Sequence, residues 1–323
     1  MRPDVTRWLD RRTSVAADWS LEELLAAKGS TRVSVVLPAL DEAATIGAIV
    51  SAIVKDLVSV ACPLVDEVVV MDSGSTDQTA EVAAVAGARV VPRHAVLPEI
   101  APVAGKGEVL WRSLAATTGD VVVFVDADLE DFSSSTVTGL LGPLLRDDTV
   151  LLVKGYYDRP LRDGDSFLAN GGGRVTELVA RPLLNLHWPE LAGIIQPLVG
   201  EYAARRRLLE QLPFPTGYGV ELAMLVDTLG LAGLDAIAQV DLGVRHHQHQ
   251  DERALGRMAA EIWQTALHRL DPAGRSLRPY GPAATLTQFE RVDGSYVSRD
   301  HDVTVTERPP MAAVRAERGL RAS

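Results

Sequence analysis

The sequence has a single cysteine, Cys62, so no disulfide can close within the chain, and a reducing cytosolic setting is expected. Long apolar runs are missing as well. The stretch 222–240 is interrupted by Asp227 and Asp235, and no segment reads as a membrane span. The first residues include Asp4, Arg7, Asp10, Arg11 and Arg12 and lack the apolar centre of a signal peptide. An excess of positive charge is also absent. The formal net charge of -11 argues against non-specific nucleic-acid binding, which needs many phosphate-neutralising cations. Any site for an anion must therefore be built locally. No internal repeat is visible.

What is present is ordinary globular composition, 47% apolar and 23% charged over 323 residues, enough for one large α/β core or two smaller units. Residues 1–31 read as a peripheral arm, with a short helix capped by Ser20. Apolar runs at 33–37, 67–71, 89–91 and 121–125 alternate with helical patterns over 42–57, from about Asp77, and around 111–116. Such alternation predicts a mainly parallel sheet with right-handed crossovers, in which ligands bind beyond the carboxyl ends of the strands. Residues 38–42, 72–77 and 126–128 all fall there. In the second half, 149–157 and 236–244 read as strands, and 174–184, 205–212, 220–229 and 253–270 as helices. From about Asp271 the chain is rich in Pro, Gly and charge, and its last thirty or so residues read as an extended tail. The divisions expected are an arm (1–31), a nucleotide-sugar-binding α/β domain (32–157), an acceptor-binding and metal-completing subdomain (158–270) and a C-terminal extension (271–323).

Four constellations carry chemistry. Asp126-Ala127-Asp128 directly follows an apolar run. If strand geometry persists, both carboxylates face one side and Ala127 the other, an arrangement suited to a hard divalent cation bridged to a diphosphate. The plain alternative is a pair of solvated carboxylates capping the next helix. His246, His247 and His249 follow the strand 236–244, and one imidazole would suit a Mn2+ site completed by Asp128. Lys106 lies between Gly105 and Gly107 just before a helix. The glycines admit close backbone approach and the ammonium offers a point charge to pyrophosphate, though exposed loop lysines are common. Gly171-Gly172-Gly173-Arg174-Val175-Thr176 precedes a helical pattern and suits an anion, by backbone amides and an Arg fork, unless it is only a loop and a capped helix. Arg205 or Arg206 is a weaker acceptor candidate, since such runs usually form a solvated helix face. Glu221 opens a helix, where its charge suits the dipole or a sugar hydroxyl.

Taken together, Val35-Val-Leu-Pro-Ala-Leu-Asp-Glu42, Asp72-Ser-Gly-Ser-Thr-Asp77 and Val123-Phe-Val-Asp-Ala-Asp128 resemble the nucleotide-binding elements of GT-A glycosyltransferases. The segments from Gly171 through Leu184, Gly200-Glu-Tyr-Ala-Ala204, Pro215-Thr-Gly-Tyr-Gly-Val-Glu221 and Asp235 through Arg245 are similar to the actinobacterial glucosyl-3-phosphoglycerate synthase family, over nearly the whole chain. The resemblance implies a GT-A fold, Rossmann-like and mainly parallel, with a C-terminal acceptor-binding subdomain. It implies retaining transfer of glucose from UDP-glucose to D-3-phosphoglycerate, the first step of methylglucose lipopolysaccharide synthesis, with Mg2+ or Mn2+ and a homodimer. Carried over, Pro38, Ala39, Leu40, Glu42 and Ser73 line the uridine pocket, Lys106 meets the diphosphate, and Asp126 meets the nucleotide sugar. Asp128 and His247, aligned through Gly243-Val-Arg245, hold the metal. Gly173, Arg174 and Thr176 hold the acceptor, Glu221 contacts the glucose, and Tyr218 lies near it. The alternatives are a transferase for another donor (GDP- or ADP-linked, glucose or mannose) or acceptor, and a non-catalytic sugar-nucleotide sensor.

Overall fold

The computed structural model describes residues 1–158, 161–163, 166–168, 173–245, 252–271, 283–292 and 295–319. His246, His247 and His249, and Gly171 and Gly172, lie outside the described residues. In the first half, the elements are α1 (Pro3–Arg12), β1 (Thr13–Val15), α2 (Leu21–Lys28), β2 (Val33–Ala39), α3 (Ile46–Leu57), β3 (Glu67–Asp72), α4 (Thr79–Val85), β4 (Arg89–Pro92), α5 (Lys106–Ala116), β5 (Val121–Phe124) and α6 (Ser135–Arg146). There follow β6 (Leu152–Asp158), β7 (Leu161–Asp163), β8 (Ser166–Leu168), a π-helical turn Thr176–Ala180, α7 (Arg181–His187), β9 (Tyr202–Arg205), α8 (Arg206–Leu209), β10 (Phe214–Pro215), α9 (Val220–Ala232), β11 (Ile237–Val244) and α10 (Glu252–Leu270). The C-terminal part adds β12 (Thr285–Val292), β13 (Ser295–Asp302), β14 (Glu307–Arg308) and α11 (Met311–Glu317).

One eight-stranded sheet, in the order β1-β11-β6-β9-β5-β2-β3-β4, organises the molecule. Its pairs are parallel except those that β9 makes with β5 and β6. The strands β4-β3-β2-β5 form the 3-2-1-4 half of a doubly wound sheet, so the switch point, where the crevice is expected, lies between β2 and β5. Apolar side chains on both faces explain the burial of β2 and β5: Val33, Val35, Val36, Leu37 and Val121–Phe124 are shielded from water. Helix α3 buries Ile46, Ile49, Val50, Ile53 and Leu57, at the spacing of a single helical face. Ser20 caps α2, its hydroxyl accepting from the Glu23 amide at 3.3 Å.

Three expectations are corrected. Residues 1–31 are not peripheral: β1 forms the sheet edge on β11, and buried Trp8 donates its indole N–H to the Ile237 carbonyl at 2.8 Å. The segment 205–212 is not one helix, because Tyr202–Arg205 completes the hydrogen bonding between β5 and β6 before the short α8 begins. The last residues are not a loose tail, since α11 buries Met311 and Val314 and β14 pairs with β10.

Candidate active site

The loops after β2, β3 and β5 converge at the carboxyl edge of the sheet, as the strand pattern requires. Asp41 adopts φ 57° and its carboxylate accepts from the Thr76 amide at 2.7 Å. The short polar side chain that bonds locally makes this left-handed conformation tolerable for a residue other than glycine. Glu42 donates its amide to Thr79 Oγ1 at 2.7 Å, Ser73 donates its amide to the Ala39 carbonyl at 2.9 Å, and Thr45 donates its hydroxyl to the Ala127 carbonyl at 2.6 Å. Pro38 and Ser73 are half-buried and Ala39 is buried, whereas Leu40 is 54% exposed.

Asp126-Ala127-Asp128 does not continue the strand. Strand β5 ends at Phe124 and residues 127–128 form a turn, so the two carboxylates diverge in environment rather than sharing a strand face. Asp126 turns inward. Its Oδ1 accepts from Lys106 Nζ at 2.6 Å, and a Cβ at position 200 would lie 2.1 Å from its Oδ2, which requires Gly200 there. Lys106 Nζ also lies 3.1 Å from Glu221 Oε1, and the Glu221 side chain is 5% exposed at the first turn of α9. Burial pulls the Lys106 pKa down, but the carboxylates of Asp126 and Glu221 outweigh it and hold the ammonium well above its usual value. Burial pushes Asp126 up, and Lys106 outweighs that in turn, keeping the carboxylate below its usual range. Glu221 Oε1 has no hydrogen bond of good geometry among the described residues, and the buried Tyr202 hydroxyl has none either. Unsatisfied buried oxygens beside a fixed ammonium are suited to a ligand's hydroxyl groups.

The glycines beside Lys106 admit the chain's own backbone. A Cβ at Gly105 would lie 2.2 Å from the Thr216 carbonyl oxygen, and one at Gly107 would lie 1.8 Å from that of Pro215. Their smallness therefore locks the Lys106 turn against residues 215–216, the strand end that leads to Glu221.

Asp128 turns outward, with its side chain 57% exposed, and accepts from Arg245 NH2 at 3.1 Å. Arg245 is anchored from beneath: its NH1 donates to the buried Glu201 at 3.0 Å and to the Tyr157 hydroxyl at 2.6 Å. Lys154 lies deeper still, 1% exposed, donating to the Val199 carbonyl and lying 4.6 Å from the centre of the Tyr202 ring. Burial lowers its pKa to about 8, against support from Glu221. Sequence reasoning missed Glu201, Tyr157 and Lys154. The one available signal was a charge inside an apolar strand pattern, as in Val153-Lys154-Gly155.

The set suits a divalent cation. Burial raises the Glu42 pKa, and the negative field of Asp128, Asp77 and Asp126 raises it further, so carboxylates gather at this edge even though Lys106 pairs with Asp126 and Arg245 with Asp128. Among the described residues, no group of three or more His, Cys, Asp or Glu side chains is close enough to hold an ion alone. An ion at Asp128 would therefore need further ligands from a substrate or from elsewhere in the chain.

Gly173, at φ 82°, accepts at its carbonyl from the Glu177 amide at 3.0 Å and begins the helical turn that carries Arg174 and the buried Thr176. Arg174 NH1 lies 3.2 Å from Glu252 Oε1 at the start of α10. Tyr218 is 47% exposed, with its amide donating to Glu261 Oε2 at 2.8 Å. Arg205 and Arg206 are not at this edge. Strand β9 runs antiparallel to its neighbours, which carries them to the opposite end of the sheet. There Arg206 is buried, donating to the Gly119 and Leu114 carbonyls and to Thr117 Oγ1, and Arg205 donates to the Val150 and Leu144 carbonyls. Both are structural, and the acceptor role expected of one of them is withdrawn.

The glycosyl transferase family 2 model matches residues 34–212, from β2 past β9. The glucosyl-3-phosphoglycerate synthase of Mycolicibacterium smegmatis is 51% identical over 309 residues, covering 96% of this chain and 98% of that protein. The crystal structure of the Mycobacterium tuberculosis glucosyl-3-phosphoglycerate synthase with Mn2+, UDP and phosphoglyceric acid is similar at TM-score 0.81 and 47% identity, over 92% of this chain and 96% of that one. Mannosyl-3-phosphoglycerate synthase from Rubrobacter xylanophilus superposes at TM-score 0.87 and 37% identity, over 96% of this chain and 98% of that one. With this match over more than half of its length, and with these relatives, the chain belongs to glycosyl transferase family 2 and, within it, to the glucosyl-3-phosphoglycerate synthases.

Proposed function

We propose that this chain transfers glucose from UDP-glucose to D-3-phosphoglycerate with retention of configuration, releasing UDP. The observation that carries the reading is the Lys106 ammonium held between Asp126 and Glu221 at the crevice, in a chain 51% identical to a glucosyl-3-phosphoglycerate synthase. In this reading Pro38, Ala39, Leu40, Glu42 and Ser73 receive the uridine, with Asp126 beside the nucleotide sugar. Lys106 faces the diphosphate and stabilises the charge that builds on the leaving group. Asp128, with His247, would hold a divalent ion, Mg2+ or Mn2+, which supplies further positive charge to the diphosphate when bound. Gly173, Arg174 and Thr176 grip the acceptor phosphate and orient its hydroxyl towards the anomeric carbon. Glu221, with Tyr218 nearby, accepts from the glucose hydroxyls. Its pairing with Lys106 blunts it as a nucleophile, which favours same-face attack assisted by the leaving group over a covalent intermediate.

The segment 32–157 would serve the donor, and 158–270 would bind the acceptor and complete the metal site begun by Asp128, in a homodimeric, cytoplasmic enzyme. No helix among the described residues is long and apolar enough to cross a membrane. The likeness to a mannosyl-3-phosphoglycerate synthase makes GDP-mannose the rival donor, and selectivity there rests on a few pocket contacts. Steady-state release of UDP, ADP or GDP from UDP-glucose, ADP-glucose and GDP-mannose respectively, each with and without D-3-phosphoglycerate, tests the reading. Release from UDP-glucose that depends on the acceptor supports it. Preference for GDP-mannose, or donor binding without turnover, would replace it with one of the alternatives.

A further inference from the structure

The C-terminal extension holds the turn that presents Lys106. Glu108, in the first turn of α5, is fully buried and receives both ends of the Arg308 fork, from NE at 2.6 Å and from NH2 at 2.9 Å. Arg308 NH2 also donates to the Ala101 carbonyl at 2.7 Å, and its guanidinium lies 5.3 Å from the centre of the Trp111 ring. Arg112, one turn further along the helix, adds a third bond to Glu108 at 2.7 Å. The backbone repeats the connection. Residues 307–308 pair with 214–215 in β10, the Thr216 amide donates to the Thr306 carbonyl at 2.9 Å, and the Glu108 amide donates to the Thr216 carbonyl at 3.2 Å. Residues 215–216 are thus held between the C-terminal strand on one side and Gly105 and Gly107 on the other.

Lys106 is two residues from Glu108, and its ammonium lies 2.6 Å from Asp126 and 3.1 Å from Glu221. Arg112 also bonds Oε1 of Glu108, but among the described residues Oε2 receives only Arg308, so loss of Arg308 strands that buried oxygen and forces the first turn of α5 to readjust. We infer that Arg308 is a positioning residue for donor binding, acting through Glu108 on Lys106, and that the extension thereby completes the diphosphate site of its own chain. The inference rests on the reading of Lys106 as the diphosphate-facing cation.

Four variants test it: Arg308→Gln, Arg308→Lys, Arg315→Met as a control on the same extension, and Lys106→Met as the reference for donor binding. UDP affinity is read by calorimetry, donor and acceptor KM by kinetics, and folding by circular dichroism. Arg308→Gln is expected to weaken UDP and raise the donor KM about tenfold, with the acceptor KM unchanged, and Arg308→Lys to give a smaller rise, about threefold. Arg315, which donates to the Leu114 carbonyl away from the site, is expected to change the melting temperature and leave UDP affinity as it was. Wild-type UDP affinity in a folded Arg308→Gln, or an equal rise in both KM values, overturns the inference. If Arg308→Gln does not fold, unchanged UDP affinity in Arg308→Lys overturns it. Should Lys106→Met also bind UDP normally, the diphosphate reading itself falls with it.

Discussion

The ammonium of Lys106 lies 2.6 Å from Oδ1 of Asp126, joining the start of helix α5 to the end of strand β5. Glu221 approaches the same nitrogen from a third element, at 3.1 Å. A cation held this way is preorganised for a leaving diphosphate, because its orientation cost is met on folding rather than during reaction. Lys106→Met is therefore expected to lower kcat roughly 10²–10³-fold. It also strips the buried carboxylates of their partner and destabilises the fold by about 3 kcal/mol. Thermal melts and single-turnover rates separate the two effects, and adding Glu221→Gln should recover stability without recovering rate.

Asp128 differs from Asp126 in its setting: it faces outward, and Arg245 pairs with it at 3.1 Å. Asp128→Ala is expected to abolish turnover at saturating metal and to eliminate tight Mn2+ binding measured by electron paramagnetic resonance. Near-wild-type rates would remove Asp128 from the metal site.

Arg174 stands on the helical turn opened by Gly173. Arg174→Ala should raise the acceptor KM by about 10–100-fold, as expected for a lost charge-assisted fork on phosphate, and leave the donor KM within about twofold. An equal rise in both would place Arg174 elsewhere.

Lys154 gives a pH signature. Its folded pKa is about 8 against 10.5 for an ordinary lysine, chiefly because of burial. Below about pH 8 it is charged in both states and the fold bears the cost of burying it. From there towards the ordinary value the unfolded chain holds a proton that the folded chain has shed, so this group's contribution to stability rises with pH. The wild type should accordingly gain on Lys154→Met in denaturant titrations as pH increases over that window. A constant difference would show that Lys154 keeps its proton.

Much of this was legible in the sequence because buried parallel strands leave a strong apolar signal. The runs at 33–37, 67–71 and 121–125 all proved to be central strands, and the loops after them meet at one edge. What failed did so where tertiary packing overrides local preference. The helix expected over 205–212 shrinks to Arg206–Leu209, because the unread strand Tyr202–Arg205 takes Arg205 to fill the gap between β5 and β6. Helix α6 went unread since Gly139, Gly142 and Pro143 break its pattern, although its apolar face is buried against the sheet. At the site, Lys106, Asp126 and Glu221 could each be suspected singly. Their meeting could not, because it depends on three elements distant in the chain, as do the buried anchors Glu201 and Tyr157.

In the proposed reaction the chain joins glucose to the hydroxyl of phosphoglycerate with its α configuration kept. Proton NMR of a reaction containing UDP-glucose, D-3-phosphoglycerate and Mn2+ tests this most directly. A new α-anomeric glucosyl signal is expected to grow in step with UDP, and to be absent when the acceptor is left out or the metal is chelated. A β-anomeric product, or UDP and free glucose formed regardless of acceptor, would contradict it.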